Sequence, residues 1–244
     1  MKFFKKSYNN DIIIYSDFMK VDNLTLSFWN KIVLNKVSLE IKPGEFVFII
    51  WYSWSGKTSL IRSIIWDFKP ASWDIVLDNW GVLYGNFSEK FLRQYRRKIG
   101  VIFQDYKLLE SKTVYENVAF AMEVCNYKEK DIIKKVPEVL EQVGLLLKKD
   151  KFATELSGWE KQRVSIARAL VHDPEVIIWD EPTGNLDPKT ALNIMEIFEE
   201  LGRLGKTVII ATHDKNIVDT YKKRVISFKD KKIFSDENPW NYNL

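Results

Sequence analysis

Residues 46–65 restrict the possible folds of this chain more than any other stretch. Phe46-Val47-Phe48-Ile49-Ile50 is a continuous apolar run, followed by Trp51-Tyr52-Ser53-Trp54-Ser55-Gly56-Lys57-Thr58. Ser59-Leu60-Ile61-Arg62-Ser63-Ile64-Ile65 then places apolar residues at helical spacing. A short apolar run of this kind suits a strand buried on both faces. Strand, loop and helix are the setting in which G-x-x-x-x-G-K-[ST] forms a phosphate-binding P-loop. Its backbone N–H groups make an anion-binding hollow, its lysine reaches the β/γ-phosphates, and its hydroxyl holds Mg²⁺. Here tryptophan stands at two positions where such a loop uses glycine, 51 and 54. Glycine serves there because the chain takes φ > 0 and comes very close to the ligand. A bulky residue held left-handed costs about 1–2 kcal/mol, and an indole at Trp54 would enter phosphate space. Either the nucleotide site has been lost, or the protein made in the cell carries glycine at these positions.

The 244 residues suffice for one large domain or one domain with an inserted lobe. Apolar content of 46% and charged content of 29% are ordinary for a globular protein. The formal net charge of +4 is mild, so the lysine-rich ends are read as solvated surface and no nucleic-acid partner is expected. Cys125 is the single cysteine. It excludes an intrachain disulfide, fits a reducing cytoplasm and is read as a packing residue. No apolar run approaches the roughly 20 residues of a membrane helix. The start Met1 to Lys6 is basic, but Ser7-Tyr8-Asn9-Asn10-Asp11 follows in place of a signal-peptide core. Any membrane role is therefore expected to come through a partner.

Residues 20–50 read as short strands with a turn at Lys42-Pro43-Gly44-Glu45. Further strands are predicted at 74–78 and 98–103, the latter leading into Gln104. From about 105 to 173 the periodicity is mostly helical, at 114–124, 131–143 and 157–171. Strand patterns return at Val176-Ile177-Ile178 and Thr207-Val208-Ile209-Ile210-Ala211, with a helix from near Pro188 to between Gly202 and Gly205. Alternation of strands and helices predicts an α/β fold with a parallel core sheet. An antiparallel β lobe and an inserted helical subdomain (about 105–173) accompany it. The boundaries predicted are an N-terminal extension over 1–19, one domain over 20–235 and a tail over 236–244.

Val176-Ile177-Ile178-Trp179-Asp180-Glu181 is an apolar strand ending in two acids, about 120 residues after the P-loop. The first carboxylate of such a pair can hold Mg²⁺ and the second can polarise the attacking water. With Pro182-Thr183-Gly184-Asn185-Leu186-Asp187 behind it, the pattern is highly specific. Leu156-Ser157-Gly158-Trp159-Glu160-Lys161-Gln162-Arg163 resembles the LSGGE-x-QR signature of ABC-type ATPases. Gln104 resembles their Q-loop glutamine, Asn185-Leu186-Asp187 their D-loop, His213 their switch histidine, and Phe28 the aromatic that stacks on adenine. The resemblance covers roughly residues 20–230, with all motifs in order. Residues 99–109 and 113–121, with Gln104-Asp105, Leu108-Leu109 and Thr113-Val114-Tyr115-Glu116-Asn117-Val118-Ala119, are similar to the FtsE branch of that family. FtsE proteins are cell-division ATPases that pair with the membrane protein FtsX. Relatives that release lipoproteins or drive efflux share the fold and Gly184-Asn185-Leu186-Asp187.

The resemblance implies ATP and Mg²⁺ as ligands and an ATP-bound head-to-tail homodimer. Trp51, Tyr52, Ser53, Trp54, Ser55, Gly56, Lys57, Thr58 and Ser59 would surround the phosphates. Ser157, Gly158, position 159 and Asp187 would close the site from the other subunit. Thr58, Asp180 and Gln104 would hold the metal ion, and Glu181 would activate water, with Gln104 and His213 sensing the γ-phosphate. An FtsX-like integral membrane protein would hold the chain at the cytoplasmic face of the membrane.

Trp51, Trp54 and Trp159 fall on glycines of the family's motifs, and Trp29, Trp66 and Trp73 fall where glycine is frequent. Ten glycines and nine tryptophans together make about 8% of the chain, near the usual glycine share of about 7%. One reading is that the source decodes UGA as glycine while the printed sequence takes it as tryptophan. The other is a paralogue that kept its fold and acts as a non-catalytic adaptor. Decay has no reason to choose one replacement at so many glycines while sparing Gln104, Lys57, Asp180, Glu181 and His213.

Overall fold

The computed structural model describes residues 19–28, 31–51, 56–65, 72–77, 81–83, 89–103, 105–181 and 188–238. The order begins with strands β1 (Met19–Phe28), β2 (Lys31–Ile41) and β3 (Phe46–Trp51), then helix α1 (Lys57–Ile64). Next come β4 (Ser72–Leu77), β5 (Gly81–Leu83), α2 (Glu89–Arg97) and β6 (Ile99–Ile102). Three helices follow, α3 (Val114–Glu123), α4 (Glu129–Gln142) and α5 (Gly158–Leu170). The chain continues through β7 (Val176–Asp180), α6 (Pro188–Arg203), β8 (Thr207–Ala211), α7 (Lys215–Tyr221), β9 (Arg224–Lys229) and β10 (Lys232–Glu237).

Two sheets result. One is antiparallel with strand order β2-β1-β4-β5; the other has the order β10-β9-β3-β8-β7-β6. From β9 to β6 the second sheet is parallel, and only β10 runs antiparallel, at its edge. Every residue of β7 and β8 is buried, as expected of a parallel sheet covered on both faces. Phe48, Ile177, Trp179, Val208 and Ile210 face the core shared with α3–α6. Their neighbours Val47, Ile49, Ile178, Ile209 and Ala211 face a second core built with α1, β1 and β2. The P-loop helix and the antiparallel lobe thus share one face of the central sheet, and the helical block takes the other.

Local chemistry explains the ends. Gly44 turns the chain between β2 and β3 with φ 72°, and its N–H donates to Thr207 Oγ1 at 3.0 Å. Thr113 caps α3: its hydroxyl accepts from Glu116 N at 3.2 Å while Glu116 accepts from Thr113 N at 2.7 Å, a reciprocal capping box.

The expected α/β architecture is the one observed, but of the short strands predicted over 20–50 only β3 is short, and β1 and β2 are long. Asn23 and Lys36 adopt positive φ of 53° and 50°, and the register shifts along the β1–β2 pair. Ser38 Oγ accepts from Asn23 N at 2.9 Å and Thr25 Oγ1 from Lys36 N at 3.2 Å. These hydroxyls satisfy the bulged N–H groups, so the ribbon bends without ending. The strand predicted at 74–78 lies at Ser72–Leu77. Helix α2 escaped the pattern because only Leu92 and Tyr95 of its nine residues are buried.

Candidate nucleotide site

The strands β3, β8 and β7 are neighbours, and each ends at the same edge of the sheet. Asp180 closes β7 opposite Ala211 of β8, and β3 leads toward α1. In open α/β sheets ligands bind at this carboxyl edge. The run Phe46–Trp51 gives a strand buried at Val47, Phe48 and Ile49, and Gly56 starts α1 with φ 109°. A Cβ at Gly56 would lie 3.1 Å from Leu34 Cδ2 and 3.2 Å from the Val33 carbonyl oxygen, so only glycine suits the position. Leu60 N donates to the Gly56 carbonyl at 2.8 Å. The first N–H groups of α1 therefore point out of the helix start, where an anion is favoured.

Charged groups converge beside that helix start. Lys57 Nζ is paired with Glu181 Oε1 and lies 3.7 Å from Asp180 Oδ1. Thr58 Oγ1 donates to Asp180 Oδ2 at 3.0 Å. His213 Nδ1 is 2.8 Å from Glu181 Oε1. Glu181 N donates to the Ala211 carbonyl at 2.8 Å, and Thr212 N to that of Ile49 at 3.0 Å, so the backbone stitches the three strand ends together. Glu181 is held left-handed at φ 54°, an uncommon conformation for a non-glycine residue. Burial pushes the Lys57 ammonium below its usual pKa, while the Asp180 charge acts in the opposite direction.

Asp180 and Glu181 are nearly buried, at 5% and 8% exposure. Asp180 Oδ1 and Glu181 Oε2 are buried and make no hydrogen bond among the described residues. Buried polar atoms are ordinarily satisfied, and free carboxylate lone pairs beside a threonine hydroxyl fit a hard divalent cation. The donor set present is therefore compatible with Mg²⁺.

A second group lies at the start of α5. Ser157 precedes the helix, and Glu160 Oε2 accepts from its N–H at 2.9 Å and its hydroxyl at 2.6 Å. Lys148 Nζ pairs with Glu160 Oε1. Burial alone would push the Glu160 carboxyl up, but the Lys148 and Ser157 hydrogen bonds outweigh it and hold the group at about 2. Ser157, Gly158 and Trp159 are exposed, and the Arg163 guanidinium lies 4.4 Å from the Trp159 ring centre.

The structure therefore brings Lys57, Thr58, Asp180, Glu181 and His213 together and sets Ser157, Gly158 and Trp159 apart on an open helix start. Ser59 lies in the first turn of α1 and Phe28 ends β1. Tyr52, Ser53, Trp54, Ser55, Gln104 and Asp187 lie outside the described residues. Trp51 stacks on Phe228 of β9, with ring centres 4.3 Å apart. Trp179 stacks on Phe198 of α6 at 4.5 Å. The indole N–H groups of both are buried with no acceptor among the described residues. Sequence reasoning missed Asn117 and Arg168, whose contacts hold the segment after Gln104. Arg168, a charged residue two positions before Leu170 on a largely buried helix, was the available signal.

A helix start bearing Gly56-Lys57-Thr58 behind a strand of a parallel sheet, with an acidic pair at the end of β7 two strands away, defines a nucleoside-triphosphatase of the α/β class. The ABC transporter family profile matches residues 34–184, and an AAA-domain profile matches 162–219. The cell division ATP-binding protein FtsE of Bacillus subtilis is 47% identical over 209 residues, covering 86% of this chain and 91% of that protein. The methionine import ATP-binding protein MetN of Carboxydothermus hydrogenoformans is 41% identical, covering 85% of this chain and 64% of its own length. The dimeric, post-hydrolysis structure of the ATP-binding cassette MJ0796 bound to ADP and Pi superposes with a TM-score of 0.79. Its identity is 32%, covering 92% of this chain and all of that one. The chain belongs to the ABC transporter family of ATP-binding ATPases. Within it, the chain is an FtsE-like ATP-binding subunit.

Proposed function

We propose that this chain hydrolyses ATP in a head-to-tail dimer and transmits the resulting movement to an FtsX-like membrane protein that controls cell-wall remodelling at division. The observation that carries this reading is the convergence of Lys57, Thr58, Asp180, Glu181 and His213 at one edge of the sheet. Lys57 and the N–H groups of α1 neutralise phosphate charge. Thr58 and Asp180, with Gln104, would hold Mg²⁺, which when bound would polarise the phosphoryl oxygens. Glu181 orients the attacking water, and His213 and Gln104 respond to the γ-phosphate. Ser157, Gly158, residue 159 and Asp187 complete the partner subunit's site, and Phe28 stacks on the adenine. Phosphoryl transfer draws mainly on such positioning and electrostatic stabilisation. No helix among the described residues is long and apolar enough to cross a membrane; attachment to the cytoplasmic face would come through the partner. The MetN relative favours a second reading, in which the same ATPase drives a transporter with a different membrane partner.

The reading takes glycine as the native residue at positions 51, 54 and 159, encoded by UGA. A buried indole N–H ordinarily finds an acceptor, and an orphaned one costs about 1–3 kcal/mol. The Trp51 indole N–H finds no acceptor among the described residues, which favours a residue without an indole there. Peptide masses of the protein from its native source, followed by Glu181→Gln in that chain, test both points. Glycine masses, and a variant that binds ATP and stays dimeric without turning it over, are expected. Tryptophan masses at 51 and 54 with no ATP binding would leave an adaptor.

A further inference from the structure

The segment after Gln104 is built in an unfavourable conformation. Tyr106 and Lys107 are both left-handed, at φ 52° and 49°, and neither is glycine. Left-handed backbone persists at non-glycine residues only where the surroundings impose it. Arg168 of α5 is what meets these residues: its Nη2 donates to the Tyr106 carbonyl at 2.7 Å and its Nη1 to the Lys107 carbonyl at 2.6 Å. Charge-assisted bonds of this kind are roughly twice as strong as neutral ones. The planar fork of guanidinium reaches two successive carbonyls at once, whereas an ammonium is a single point charge.

Two further contacts carry the restraint in both directions. The Tyr106 hydroxyl lies 3.6 Å from where a Cβ at Gly158 would stand, so its ring reaches the exposed first turn of α5. The Lys107 ammonium sits 5.2 Å from the ring centre of Phe103, tying together the residues on either side of Gln104. One arginine therefore fixes the strained pair to α5, and the tyrosine of that pair rests on the helix start that bears Ser157 and Gly158.

We infer that Arg168 is a positioning residue: it clamps Tyr106 and Lys107 in left-handed geometry so that residues 105–107, which follow Gln104 in the chain, and the Ser157-Gly158 turn move as one piece. The inference rests on the ATPase reading for its effect on turnover, but the clamp itself is observable without nucleotide. Among the described residues no hydrogen bond or ion pair joins Arg168 to Lys57, Asp180 or Glu181, so its loss is expected to spare nucleotide binding and to strike the step that needs both ends aligned.

The test uses the native full-length chain, Arg168→Met, Arg168→Lys, and Arg168→Met combined with Lys107→Gly. Amide hydrogen exchange without nucleotide, ADP affinity and kcat for ATP are measured on each. In Arg168→Met, exchange at 105–112 and 157–160 is expected to rise at least tenfold while β7 and β8 change less than twofold. ADP affinity stays within twofold and kcat falls at least tenfold; Arg168→Lys lies closer to Met than to the native chain. Glycine takes φ > 0 without strain, so Lys107→Gly restores kcat at least threefold in the Arg168→Met background. Exchange that rises evenly over the whole chain, ADP affinity that falls in step with kcat, or kcat that does not change would overturn the inference. A native chain that fails to turn over ATP refutes the ATPase reading, and the exchange pattern at 105–112 and 157–160 still decides the clamp.

Discussion

Asn117 shows how much one side chain can hold. It is 1% exposed; its Oδ1 accepts from Leu109 N at 2.8 Å, and its Nδ2 donates toward the carbonyls of Leu109, Lys112 and Thr113 at 3.0, 3.2 and 2.9 Å. These backbone groups close the loop between the Gln104 segment and α3. Asn117→Ala is expected to cost on the order of 2–3 kcal/mol, since buried backbone groups lose their partner. Urea unfolding should show a lower midpoint at unchanged slope; a loss below about 0.5 kcal/mol would mean that water replaces the amide. Individual residues were unevenly legible in the sequence. Lys57, Thr58, Asp180 and Glu181 could be read because their motifs encode backbone geometry, a glycine turn and a strand end, as well as chemistry. Asn117 and Arg168 could not, because each acts on carbonyls whose positions depend on a loop conformation that no local pattern announces.

Among the elements, those buried on both sides were the most legible. The run at 207–211 is β8 residue for residue, because Val208, Ile209, Ile210 and Ala211 enter the two cores alternately. The hairpin of β9 and β10 left little signal: its turn uses Asp230 and Lys231 at positive φ with no glycine, and β10 alternates only between half-buried and exposed positions. Helix α5 gives a prediction of its own, because its first turn is organised by Glu160. The folded carboxyl titrates at about 2 against 4.5 when free, so folding favours its ionised form. That contribution is complete above about pH 4.5 and is lost as the pH falls toward 2. Glu160→Gln removes it. The native chain should therefore lose more stability than the variant between pH 5 and pH 3, measured as urea midpoints at each pH. An equal loss in both would place the acid sensitivity elsewhere.

For the whole molecule the question is what joins the two sheets. Shared core packing does most of it, since β1 and β2 of the lobe bury Leu24, Leu26, Leu34 and Ile41 against the same cluster as β3 and α1. The polar joint is Arg224, at the start of β9 and 13% exposed in its side chain. Its Nε and Nη2 donate to Asp236 at 2.8 and 2.7 Å, holding β10. Its Nη1 donates to Glu45 Oε2 at 2.8 Å and to the Glu40 carbonyl at 2.9 Å, holding the β2–β3 turn. A second tie runs from Asn35 N of β2 to the Lys231 carbonyl at 2.9 Å. Because Arg224 lies opposite Val47 in the sheet, the joint abuts the strand that leads to Lys57. Lysine at 224 keeps the charge but cannot span Asp236 and Glu45 together, and Asp236 is open enough for water to replace part of what is lost. Arg224→Lys is therefore expected to cost about 2 kcal/mol. Exchange should rise first in β10 and at residues 42–45, ahead of β7 and β8. Were all strands to open together at the lower stability, the joint would be an ordinary surface contact, and the apolar core alone would hold the lobe to the parallel sheet.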